Sequence, residues 1–60
     1  MKLRTGKKLL VYDFEKETWD KAKIVHIDQR EGLVRVTGKK GNSWEIDITE
    51  LDDRDCYKEN

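Results

Sequence analysis

Apolar and polar residues alternate most regularly over Val34-Arg35-Val36-Thr37 and again over Trp44-Glu45-Ile46-Asp47-Ile48, with Gly38-Lys39-Lys40-Gly41-Asn42-Ser43 between them. Successive side chains of a strand point to opposite faces. The pattern therefore predicts a hairpin with Val34 and Val36 on one face, and with Trp44, Ile46 and Ile48 sharing a face on the return strand. Gly38 and Gly41 are expected to supply the positive φ angles of a short connection.

The rest of the chain reads the same way. Residues 1–7 form a basic lead-in ending near Gly6, and Leu9-Leu10-Val11-Tyr12 is a short β-favouring run closed by Asp13. Phe14 to Thr18 is a charged loop, and Trp19 to Asp28 predicts a longer strand with Lys21 and Lys23 on one face and Ala22 and Ile24 on the other. The alternation slips between Val25 and Ile27, which predicts a bulge or bend near Val25-His26. Asp28 to Gly32 is a polar turn, Leu33 to Thr37 the third strand and Ser43 to Ile48 the fourth. Thr49-Glu50-Leu51-Asp52 has the capping-box spacing of a single helical turn, with Thr49 as the cap. Beyond it the chain is polar, with room for a short fifth strand near Leu51 or Cys56-Tyr57.

Four or five short strands without a long helix predict an all-β fold, a small, strongly bent antiparallel barrel. The expected core is Leu9 or Leu10, Val11, Ala22, Ile24, Ile27, Val34, Val36, Ile46, Ile48 and Leu51. Sixty residues allow one domain, and a chain this short buries only about 60% of its unfolded surface. No proline and 35% hydrophobic residues fit a compact polar domain better than a linker.

Net charge is zero, but the charges segregate. Lys2, Arg4, Lys7 and Lys8 precede any acid, whereas residues 45–60 carry seven acids against Arg54 and Lys58. Opposite charge at the two ends suits ends that meet across a closed barrel, or that simply solvate it. Lys21, Lys23, Arg35, Lys39 and Lys40 form a second constellation, a basic strand face and hairpin able to contact DNA or RNA phosphates. Glu45 and Asp47 are placed to balance it.

Catalytic chemistry has little to stand on. The chain lacks a paired-acid pattern or a nucleophile–base set, and the Gly-Lys-Lys-Gly turn lacks the helix that a phosphate loop requires. His26 reads as a solvated bend residue, without the second histidine or cysteine spacing of a metal site. Cys56 is the single cysteine, which rules out an internal disulfide and fits a reducing compartment. There is no apolar run of membrane-spanning length. The expectation is a non-enzyme with no cofactor and no metal.

The segments Gly6-x2-Leu9-Leu10-Val11-Tyr12-Asp13, Trp19-x2-Ala22-Lys23-Ile24-x2-Ile27-Asp28, Val34-x-Val36-Thr37-Gly38 and Gly41-Asn42-x-Trp44-Glu45, followed by Ile48 to Leu51, together resemble the Tudor group, which includes the chromo-barrel and Agenet domains. The resemblance covers roughly residues 6–52, leaving 53–60 as a polar tail. It implies an SH3-like bent barrel that is not an enzyme, a monomeric domain of a larger nuclear chromatin protein. Many such domains hold methylated lysine or arginine in an aromatic cage, where ring faces and an acid replace the water of a poorly hydrated methylammonium. Positions that are aromatic in many cage-bearing members are Asp20, Val36 and Lys39 or Lys40 here. What the resemblance implies is a rearranged cage of Tyr12, Phe14, Trp19 and Trp44, with Asp13 or Asp20 as the anion, facing a histone tail or another methylated peptide. A cage-less barrel binding DNA or RNA through Lys21, Lys23, Arg35, Lys39 and Lys40 is the alternative.

Overall fold

A computed structural model describes residues 2–60. Its strands are β1 (Lys8–Asp13), β2 (Thr18–Asp28), β3 (Leu33–Gly38), β4 (Ser43–Asp47) and β5 (Tyr57–Glu59), with a 3-10 turn, Ile48–Asp52, between the last two. All neighbours are antiparallel, in the spatial order β4-β3-β2-β1-β5. The fold is thus all-β, a small bent barrel of SH3-like kind.

β2 is the spine. Its first half pairs with β1, from Asp13 opposite Thr18 to Lys8 opposite Lys23, and its second half pairs with β3. The register shifts between Ile24 and His26, so Val25 is the extra residue of a bulge. That is where the alternation slips, and the bulge bends β2 so that its two halves serve different faces of the barrel. Leu9, Ala22, Ile24, Val34, Val36, Ile46 and Leu51 are buried at the centre. Leu3, Val11, Ile27, Trp44, Ile48 and Tyr57 pack around them, half-covered. Leu9 rather than Leu10 takes the inward position, because Leu9 lies opposite Ala22 and Leu10 opposite Lys21.

Two local expectations are corrected. The helical turn is capped by Asp47, not Thr49: the Asp47 carboxylate accepts from the Thr49 backbone N–H (2.9 Å) and hydroxyl (2.7 Å). Those bonds, the hydroxyl's first, hold the Asp47 carboxyl below its ordinary pKa. Gly41 has the positive φ of the hairpin, but Gly38 does not. A Cβ on Gly38 would lie 2.7 Å from Asn42 Oδ1 and 3.1 Å from Trp44 Cζ3, so close approach is what that position requires. The fifth strand takes the second of its two expected positions: β5 starts at Tyr57 and pairs with β1 from Leu9 opposite Glu59 to Val11 opposite Tyr57.

Further bonds extend the outer pairings. The Ile48 N–H donates to the Gly32 carbonyl (2.8 Å), and the Tyr12 N–H to the Cys56 carbonyl (2.8 Å). Leu51 then lies under the 3-10 turn, 3% exposed. The opposite charges of the chain ends do meet: Lys7 Nζ lies 3.1 Å from Glu59 Oε1. Hydrogen bonding to Lys7, and its charge, pull the Glu59 carboxyl below its ordinary pKa.

Candidate functional site

The β1–β2 hairpin positions most of the aromatic residues. Asp13 is opposite Thr18, and its Oδ1 accepts from the backbone N–H groups of Glu15 (2.9 Å) and Lys16 (3.2 Å), so the carboxylate organises the turn. This fixes Tyr12 directly opposite Trp19 on the outward face of the sheet. The Tyr12 ring meets Trp19 edge-on at 5.2 Å and Phe14 edge-on at 4.9 Å between centroids. Phe14 remains 68% exposed, the most exposed large apolar side chain among the described residues.

Trp44 comes from the other side. Its parity with Ile46 turns it inward, where it packs half-buried against the core at the mouth of the barrel. Between it and the hairpin lies an open groove of ≈ 470 Å³, walled by Tyr12, Phe14 and Trp44, with Asp13, Glu15 and Asp20 around it and Val11 and Asn42 completing the lining. Among the described residues the one ion pair is Lys7–Glu59, so these carboxylates carry no direct lysine or arginine partner.

Trp19 does not line this groove. It stands behind Tyr12, and Lys58 Nζ sits 4.2 Å from its ring centroid. The four expected rings therefore divide into a groove-lining trio and a buttress already covered by a cation. Glu15 and Asn42 join the groove without having been singled out in the sequence. Their place depends on the turn after Asp13 and on the Gly38–Asn42 connection, whose shapes alternation does not encode.

The five basic candidates also divide. Lys21, Lys23 and Lys39 line one open cleft of ≈ 400 Å³ together with Lys8, which had not been singled out. Lys40 lies with Lys16, Lys21 and Lys39 in a neighbouring groove that shares Asp13, Asp20 and Trp44 with the aromatic one. Arg35 lies apart, opposite His26 and Glu45 on the outward face. Only the register, which sets Lys8 directly opposite Lys23, identifies Lys8 as part of the cluster.

Other reactive groups offer little. The Cys56 thiol is pushed above its ordinary pKa, first by desolvation and then by the hydrogen bond and charge of Asp53, which disfavours the nucleophilic thiolate. Among the described residues no three metal-ligating side chains gather, and no helix is long and apolar enough to cross a membrane. No family model matches the chain, and neither does any curated protein or solved structure.

Proposed function

We propose that this chain is a non-catalytic binding module that docks a methylated lysine, carried on a basic peptide such as a histone tail, in the groove of Tyr12, Phe14 and Trp44. The observation that carries this reading is the convergence of three rings and three carboxylates on one open groove. Ring faces attract a cation through their quadrupole, and the acids add long-range attraction. Methylation strips hydration from an ammonium, so a methylated lysine gives up less water on entering such a site than an unmodified one. Lys58 over Trp19 is the same contact made within the chain. The acids also favour a tail rich in lysine and arginine. The chromatin and nuclear setting comes from the Tudor resemblance, whereas the cation chemistry comes from the groove.

The test is a titration of the Trp19→Phe variant, in which Trp44 is the remaining tryptophan, with unmethylated and trimethylated lysine peptides of one sequence. A cation–π gain of about 0.5–2 kcal/mol predicts roughly two- to thirty-fold tighter binding of the methylated peptide. Asp20→Asn should weaken both. Equal responses to the two peptides would remove the proposal.

A further inference from the structure

The outward face of the β5–β1–β2 ladder carries a second pattern. By register, Lys8 lies opposite Lys23; Leu10 lies between Lys21 and Lys58; and Tyr12 lies opposite Trp19. Among the residues paired in these two ladders, the register puts no Asp or Glu on this face. Like charges placed directly opposite each other across an antiparallel pair are destabilising, so Lys8 and Lys23 stand in an arrangement that folding alone does not favour. Lys21, Lys23, Lys8 and Lys39 surround one open cleft. A polyanion laid along it relieves their repulsion.

The rings decide which polyanion. Beside the lysines, Trp19 and Tyr12 continue the same face. Lysines that track a phosphate backbone beside flat aromatic surfaces are the combination used to hold unpaired bases. A duplex hides its base faces, and an acidic peptide or an anionic lipid surface offers nothing to stack. We infer that this face binds single-stranded nucleic acid, with Lys8, Lys21, Lys23 and Lys39 on phosphates and Trp19 as the stacking platform. Lys58 covers Trp19 in the free protein; on binding it moves to a phosphate and a base takes its place on the ring. This site is separate from the groove of Tyr12, Phe14 and Trp44, apart from the shared Tyr12 ring, and does not depend on it.

The experiment titrates the full chain, in a Trp44→Phe background that isolates Trp19 fluorescence, with oligothymidylate, a duplex of equal length, polyglutamate and phosphatidylserine vesicles. The expected result is that the oligothymidylate binds tightest and quenches Trp19. Five phosphate contacts, Lys58 included, predict a log–log salt slope of about −3.5, hence roughly a hundred-fold weaker binding at 200 than at 50 mM salt. Lys21→Glu with Lys23→Glu, both at exposed positions, should abolish binding while the circular dichroism spectrum is retained. Lys58→Met should leave the quenching in place and flatten the salt slope. Binding unaffected by the double reversal would overturn the inference. So would a duplex, polyglutamate or vesicles binding as tightly as the oligothymidylate, or oligothymidylate binding without quenching.

Discussion

Deleting Val25 should damage the protein far more than any replacement of its side chain. Val25 is 39% exposed and contributes little to the core, yet it is the residue by which β2 gains one position on β3. Without it, Ile24 still faces Val36 and His26 still faces Arg35, so every inward residue keeps its side. What disappears is the bend. A straightened β2 separates the sheet half bearing Leu9 and Ala22 from the half bearing Val34 and Ile46. If two large aliphatic side chains regain water, the loss is about 3–6 kcal/mol. A domain of this size holds roughly 3–9 kcal/mol in total, so the deletion should leave it largely unfolded. Val25→Ala, by contrast, should change stability by less than about 0.5 kcal/mol. Urea unfolding followed by tryptophan fluorescence and far-UV circular dichroism measures both. The reasoning is refuted if the deletion variant unfolds at the wild-type midpoint, or if Val25→Ala is as damaging as the deletion.

Glu17 holds a left-handed backbone (φ 54°) at the end of the β1–β2 loop, so Glu17→Gly should stabilise by about 0.5–1 kcal/mol and raise the melting temperature, read by differential scanning calorimetry. Gly38→Ala should lower the urea midpoint by about 1 kcal/mol of stability, because Asn42 can swing aside but the Trp44 ring is packed against the core; an unchanged midpoint would contradict this. The Asp47 and Glu59 carboxyls have folded-state pKa values below their ordinary ones, so their stabilising contribution is complete above the unfolded pKa and is lost as pH falls through the folded one. Stability measured between neutral pH and about pH 2 should therefore fall on the acid side, and fall less steeply in Asp47→Ala with Glu59→Gln.

Much of the architecture was legible because burial on one face of a strand imposes a period of two. Alternation located the first four strands, the inward row from Ala22 through Ile46, and even the bulge, since an extra residue leaves a visible slip. It placed β5 only loosely, near Leu51 or Cys56-Tyr57, because Tyr57-Lys58-Glu59 is too short and too charged to stand out, and pairing with Leu9 to Val11 makes the strand. Nor did it separate Asp47 from Thr49 as the cap, because both residue types serve and only backbone geometry selects. The candidate site was half legible. The ring and acid residue types were visible, but which rings meet depends on the hairpin register that sets Tyr12 against Trp19. The inward parity of Trp44 was visible; its distance from the other rings was not.

Because β1 lies between β2 and β5, the entry to β1 and the exit from β5 are gathered at one corner. Lys7 grips Glu59, and the Asn60 amide reaches the Lys8 carbonyl at 3.5 Å. Polypeptide arriving at Lys7 and departing from Asn60 needs almost no span between the two points. A carrier protein can thus house the unit inside one of its own surface loops without prising that loop open. By the same geometry, a rearranged gene that fuses these two points through a brief spacer and starts anew within Gln29–Gly32 should yield the same sheet.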